Sequence, residues 1–321
     1  MRLPSVPERG ARKGLIPMDR SSTNAGQFIN AATTLQPAIC EWQNYLAEQN
    51  KSEYTIKAFI GDIKLMASYF SPDMTIGSVT TKDIQNFLNW MNNERAVPCS
   101  PKTYSRRITS IKLFFKWLYK FGAIDADPAA AVEQKAVKSP LPEILTKTEY
   151  EKVLEAANAE RTKARPDARN MTLLQLLLST GIKKGEALAI DRNHIEREDP
   201  EHPALNVRYA KSSSAAKERR LDLPASWLPV YDEYLEQYKP ATAIFPWSPR
   251  RLEYLLEDIG EAAGLTKHLS FAMCRWTCFV RAYAEGVSAD ELRRRMGVSN
   301  VQWRDTFNKI KVLVKTYKEE E

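Results

Sequence analysis

No run of apolar residues approaches the ~18 to 20 that a membrane-spanning helix needs, and no secretory signal is visible. The expectation is a soluble, cytoplasmic protein with no membrane partner, nucleoid-associated if the host is a prokaryote. Cysteine is scarce: Cys40, Cys99, Cys274 and Cys278 show no zinc-site spacing, and the last two stand one helical turn apart, where buried thiols are commonplace. Reduced thiols are therefore expected. The three histidines, His194, His202 and His268, are scattered and offer no zinc set, so no metal is expected.

What is present is a globular composition, 43% hydrophobic and 27% charged, in 321 residues. That length exceeds what one core comfortably fills, so two domains are the starting expectation. A net charge of +7 favours an anionic partner without identifying it. Charge argues for nucleic acid only when it is patterned on a surface.

Residues 1–34 mix Arg, Lys, Ser, Pro, Gly and Asn with little apolar periodicity and read as a disordered tail, with Met18 a possible alternative start. From residue 35 to 124 the pattern turns helical, with segments near 38–49, 53–70, 81–95 and 101–121. Ser52, Thr80 or Thr81, and Ser100 are suitable N-caps. Four short helices with short links make a small all-α domain.

The fourth helix is the informative one. At 100° per residue Tyr104, Ile108, Ile111, Phe114, Phe115 and Leu118 share one face, and Lys102, Arg106, Lys112, Lys116 and Lys120 the opposite one. Such a face is commonly just solvated. Without interleaved carboxylates it also suits a helix that tracks phosphates beside a groove.

Gly122 is placed to end that helix, and residues 125–142 have the Pro, Ala and Lys content of an exposed linker. The second domain, residues 143–321, opens on a capping box, Thr146 with Glu149. An Arg-rich loop at 161–169 leads to an apolar core helix, Met171 to Leu178. Short strands at 205–209 and 219–223 flank a basic hairpin from Lys211 to Lys217, and segments 227–238 and 250–263 are again helical. From His268 onward come a buried-looking helix, a Gly-Val-Ser turn, a basic helix, a Met-Gly-Val step and a last segment that contains Phe307.

In this order the chain resembles the tyrosine recombinases of the phage-integrase and Xer class, from about Leu35 to Phe307. Asp127-Pro128-Ala129, then Leu141-Pro142 and Leu145-Thr146, resemble the usual entry into the catalytic domain. Thr180-Gly181-Ile182-Lys183-Lys184-Gly185-Glu186-Ala187-Leu188 is similar to a first catalytic motif of the form Thr-Gly-Leu-Arg-x-Ser-Glu-Leu. Lys217-Glu218-Arg219-Arg220 with Leu223-Pro224 looks like the strand after the lysine-bearing turn. The resemblance implies a mainly α fold: an N-terminal four-helix SAM-like core-binding domain, and an α+β catalytic-type domain with a small antiparallel sheet. It also implies double-stranded DNA as partner and no cofactor, because the family stores the bond energy in a phosphotyrosine.

In the family a tyrosine attacks a phosphodiester, two arginines grip its non-bridging oxygens, and a lysine and histidines move protons. Carried over residue by residue, the set is damaged. The first arginine falls on Lys183, which keeps charge but loses the planar fork. The lysine falls on Lys211, in a turn longer than usual. The His-x-x-Arg motif reads Ala272-Met273-Cys274-Arg275, the Leu-Gly-His step reads Met296-Gly297-Val298, and the tyrosine position holds Phe307. Four departures fit a natural loss of catalysis better than a single engineered one.

The expectation is a DNA-binding pseudo-recombinase, not an enzyme. It would contact phosphate through Lys183, Lys211 and Arg275, with Lys102, Arg106, Lys112 and Lys116 on the first domain. It would act as an accessory or architectural factor, alone, self-associated on DNA or beside an active recombinase. Two alternatives stay open: an active recombinase with a displaced nucleophile such as Tyr317, and a protein-interaction scaffold. Arg293 to Arg295 read as a solvated helix face, Trp276 and Trp303 as packing residues, and His268 as too far from Arg275 to replace the histidine missing at Ala272.

Overall fold

The computed structural model describes residues 29–97, 99–134, 140–210 and 212–319, and the chain divides into two compact units, the second beginning at Pro140. The first unit holds helices α1 (Leu35–Glu48), α2 (Glu53–Tyr69), α3 (Thr81–Asn93) and α4 (Pro101–Lys120). Each start except the first is capped by a side chain. Ser52 and Ser100 accept from the Thr55 and Thr103 amides, and Thr80 forms a reciprocal box with Asp83.

The apolar faces close on Trp42, whose ring meets Phe114 edge-on at 5.3 Å. Ile39, Ile63, Met66, Phe87 and Phe115 complete the centre, all fully buried. Two stretches read from composition as tail and linker belong to this unit. Residues 29–34 are held by Ile29, buried, and by the Ile76 and Gly77 amides, which donate to Thr33 and Ala31 carbonyls at 2.8 and 3.0 Å. Residues 1–28 lie outside the described part.

Likewise Ala129 and Val132 are buried, and Thr81 Oγ1 donates to the Pro128 carbonyl at 2.8 Å. Gln134 Nε2 reaches Thr109 Oγ1 at 2.8 Å. Small Ala and Val side chains look like linker by composition, but here they fill the gap left beside α3 and α4.

The lysine stripe of α4 is also revised. Lys102, Lys116 and Lys120 are exposed, whereas Arg106 turns inward to ion-pair with buried Asp62 and to donate to the Ala58 carbonyl at 3.3 Å. Asp62 also accepts from Ser110 Oγ at 2.7 Å and has Arg107 Nε at 3.5 Å. A carboxylate this buried has to be paired, and α4 supplies the partners. Arg106, its side chain still 40% exposed, is thereby tied to Asp62 on one side.

The second unit contains α5 (Lys147–Ala159), α6 (Arg169–Thr180), α7 (Lys184–Leu188), β1 (Ile195–Glu196), β2 (Ala204–Val207), β3 (Arg219–Asp222), α8 (Trp227–Tyr238), α9 (Pro249–Ala262), α10 (Phe271–Ala284), α11 (Ala289–Met296) and α12 (Asn300–Glu319). The strands form one antiparallel sheet in the order β1-β2-β3, with Leu205 opposite both Ile195 and Leu221. Helix α6 is the spine of the larger core, with Leu173, Leu174, Leu176 and Leu177 buried, and the Trp227 indole donates to the Thr172 carbonyl at 3.0 Å. A smaller core joins Phe279, Val280, Leu292, Met296, Ile310, Leu313, Val314 and Tyr317.

Helix α10 serves both cores, through Met273 and Cys274 in one and Phe279 and Val280 in the other. Arg275 therefore leaves α10 between them. Among the described residues no helix is long and apolar enough to cross a membrane.

Asp62→Ala is expected to cost about 1.5–3 kcal/mol, the loss of charged hydrogen bonds at a buried acceptor, read as a lower urea midpoint. Lys116→Ala, on the exposed face of the same helix, should change stability by less than about 0.5 kcal/mol.

Candidate nucleic-acid interface

The site is built around the C-terminal end of α11. The last carbonyls of a helix have no partner within it and carry the negative end of its dipole. Here three successive carbonyls each accept from a cation on a different element. Arg219 Nε of β3 donates to Arg295 O at 2.7 Å, Arg275 Nη2 of α10 to Met296 O at 2.7 Å, and Lys183 Nζ to Gly297 O at 3.4 Å. Gly297, at φ +58°, makes the left-handed turn that presents them.

On the opposite side the cations are organised by Glu186. Lys183 is the N-cap of α7, and its amide donates to Glu186 Oε2 at 2.8 Å, in the three-residue spacing of a capping box. The same carboxylate accepts from Arg219 Nη2 at 2.9 Å and Nη1 at 3.2 Å, and from the Tyr209 hydroxyl. Burial alone would raise the Glu186 pKa. The Arg219 hydrogen bonds and charge, with the Lys183 amide and Tyr209 hydroxyl, outweigh it and bring the carboxyl from 4.5 down to about 2. It is an anion throughout the physiological range.

Arg275 also donates, through Nη1, to the Gly181 carbonyl where α6 ends, and its guanidinium lies over the Phe279 ring at 5.1 Å. Burial pulls its pKa down to about 10, so it stays charged at neutral pH. Gly181, at φ +60°, packs so closely on Phe279 that a Cβ would stand 2.5 Å from the ring. Lys183 is shifted down by burial, against the pull of Glu186 and with help from the Arg275 and Arg219 charges, yet its side chain remains 42% exposed. With Lys183, Arg219 and Arg275 set against one carboxylate, the cluster is a net cation.

The structure thus brings Lys183 and Arg275 together. Lys211 lies outside the described residues. Ala272 is exposed on α10, three residues before Arg275, and Val298 is half-buried on the smaller core. Phe307 lies in α12, stacked on Trp303 at 5.1 Å and meeting Tyr283 edge-on at 5.3 Å, with Lys311 Nζ 5.2 Å from its ring centre. Trp276 and Trp303 pack at the edge of the smaller core, and His268 is exposed ahead of the α10 N-cap.

Tyr317 is buried in that core, and Lys147 Nζ stands 5.7 Å from its ring. Its pKa is raised by burial, and the charges that act on it are Arg281, Lys147 and Glu285 rather than Lys183 or Arg275. Sequence reasoning missed Arg219, Glu186 and Tyr209 as parts of the site. Glu186 had a signal in its capping-box distance from Lys183; the Arg219 contacts are long-range and had none.

Two outcomes test this arrangement. Glu186 is depressed in the folded chain, so its contribution is complete above pH ~4.5 and is lost as the pH falls toward 2. At 1.36 kcal/mol per unit that is on the order of 3 kcal/mol, and Glu186→Gln should flatten the acid limb of a stability-versus-pH curve. Gly297→Ala adds a Cβ 2.7 Å from Arg219 Nη1, whereas Gly264→Ala, also at positive φ, meets nothing within 4 Å. Gly264→Ala should cost about 1 kcal/mol of backbone strain, and Gly297→Ala distinctly more, in paired thermal melts.

Residues 39–122 match the phage integrase N-terminal SAM-like domain, and residues 143–309 match the phage integrase family. Among curated relatives, the tyrosine recombinase XerC of Rickettsia conorii (strain ATCC VR-613 / Malish 7) is 25% identical over 211 residues, 64% of this chain and 65% of the relative. XerC of Mycobacterium sp. (strain JLS) is 25% identical over 167 residues, 50% of this chain and 55% of the relative. The chain thus matches a little over half to about two thirds of the length of these relatives.

In fold it is similar to XerH site-specific recombinase bound to palindromic difH substrate, with a TM-score of 0.68 at 17% identity over 92% of this chain and 91% of that one. A lambda integrase dimer bound to a COC′ core site gives 0.66 at 19% identity, over 85% and 77%. With both units matched in chain order and the second match covering more than half of the sequence, the chain belongs to the phage integrase family of tyrosine recombinases.

Proposed function

We propose that this protein binds duplex DNA through the phosphate-gripping part of a recombinase site and does not cut it, as an accessory or architectural factor in recombination or mobile-element maintenance. The observation that carries the reading is the contrast inside one unit. Lys183 and Arg275 are held side by side at the end of α11, while the position of the nucleophile, Phe307, is an aromatic packing residue on α12. Binding needs only the first of these, because contacts to phosphate position a protein on DNA without any bond being broken.

Cleavage would require an oxygen lone pair to attack phosphorus and a proton for the departing sugar oxygen. A phenyl ring has no such lone pair. Methyl and isopropyl groups at Ala272 and Val298 neither give nor accept a proton. Tyr317 has the hydroxyl, but it is buried in the smaller core beside Arg281, away from the charges that would stabilise a pentavalent phosphorus. On the first unit by itself, exposed Lys102 and Lys116 of α4, with half-buried Lys112, are the further candidates for phosphate contact. The related structures include a lambda integrase tetramer bound to a Holliday junction, which supports self-association on DNA as the working assembly; pairing with an active recombinase is the alternative.

Incubation with a nicked suicide duplex should give salt-sensitive binding and no covalent protein–DNA adduct on a denaturing gel. An adduct with the unaltered chain, abolished by Tyr317→Phe, would sink the proposal. Phe307→Tyr alone should remain at least ~10²-fold below the variant that also carries Ala272→His and Val298→His, since general acid–base catalysis contributes about 10²–10⁴-fold. Absence of binding to any duplex at low ionic strength would favour a protein scaffold.

A further inference from the structure

Beside the Lys183–Arg275 cluster lies an open cavity of about 420 Å³ whose walls are the end of α11 and the lip of β3. Six cations line it, Lys217, Arg219, Arg220, Arg293, Arg294 and Arg295, against two carboxylates, Glu218 and Glu291. Most of that charge is already paired. Arg219 is bound to Glu186, Arg220 to Glu196 and Asp222, and Arg294 and Arg295 both to Glu291. Glu218 is taken by Arg208 and by the Tyr209 amide.

Lys217 and Arg293 remain, and among the described residues neither has a carboxylate partner. They come from the two segments that line the cavity, Lys217 exposed just before β3 and Arg293 half-buried on α11. Cations in the last turn of a helix ordinarily serve that helix's own carbonyls. In α11 those carbonyls are occupied by Arg219, Arg275 and Lys183, which come from elsewhere. The basic run of α11 is thereby left without that task. Arg294 and Arg295 pair with Glu291 on their own helix, and Arg293 lines the cavity.

We propose that this cavity is a second phosphate subsite, in which Lys217 and Arg293 take a backbone phosphodiester of the same bound strand whose neighbouring phosphate is held by Lys183 and Arg275. The assignment rests on the DNA-binding reading above and adds a location to it. Arg219 and Gly297 line this cavity and also touch Glu186 and Lys183 of the cluster, which makes the two sites neighbours. A lysine point charge and an arginine fork suit the two sides of one phosphate.

The test compares the full chain with Lys217→Gln, Arg293→Gln and the double variant, using fluorescence anisotropy on a labelled duplex over a salt series. Lys152→Gln, an exposed cation on α5, reports the effect of losing charge elsewhere, and thermal melts confirm folding. Loss of one neutralised phosphate should make the slope of log affinity against log salt shallower by about 0.9. Because Lys217 and Arg293 share one phosphate, the double variant should lower the slope by about 0.9 and weaken affinity severalfold, each single variant by less, with Lys152→Gln near the unaltered chain. Double-variant slopes equal to that of Lys152→Gln, in a chain that binds DNA and is weakened by Lys183→Gln, would overturn the subsite alone. No binding by the unaltered chain would overturn the DNA reading as well.

Discussion

The end of α11 is the constraint on which the second unit turns. Three unpartnered carbonyls in succession would be costly at a half-buried helix end. The fold answers with Lys183 from the start of α7, Arg219 from β3 and Arg275 from α10. These elements lie far apart in sequence, and the carbonyls of residues 295–297 draw their cations to one place. Glu186 closes the arrangement from the other side, and without it three positive charges would face one another with only backbone dipoles between them.

The cation cluster is held by main-chain carbonyls and by Glu186. None of the bonds that hold Lys183, Arg219 or Arg275 passes through Ala272, Val298 or Phe307. A change of side chain at those positions would leave these bonds in place. Phe307 is in turn accommodated by aromatic packing on Trp303 and Tyr283, contacts that a phenyl ring makes without any hydroxyl. The bonds that hold the cations and the packing of Phe307 therefore involve separate sets of atoms.

The helices of the first unit could be read from the sequence because their information is local: apolar period, Ser and Thr caps, Pro at the start of α4. What could not be read was long-range. Arg106 has the helical phase of an exposed stripe, but a buried carboxylate on α2 turns it inward. Ala129 and Val132 have linker composition and core burial. In the second unit the five-residue α7 and the two-residue β1 are too short for any period to register. Lys183 and Arg275 were placed by motif resemblance. Arg219 and the α11 carbonyls went unseen because main-chain acceptors have no side-chain signature, and only the fold shows which cations meet them.

Donor counting then separates the cations that hold the structure from those left to hold a ligand. Arg219 has five N–H groups and directs four of them at Arg295 O, Lys217 O and the two Glu186 oxygens. It is a structural group. Arg275 directs two of its five at Gly181 and Met296 carbonyls, which leaves three. Lys183 makes only long contacts, 3.4 Å to Gly297 O and 3.5 Å to Glu186 Oε1. Its ammonium is the least committed charge in the cluster and, at 42% exposure, the most accessible. An arginine at position 183 would carry a planar fork with five donors into a place where one carboxylate is already engaged by Arg219. A lysine brings a single compact charge, here held at Gly297 by one long bond. Lysine at position 183 thus supplies charge and reach where arginine would supply a fixed fork.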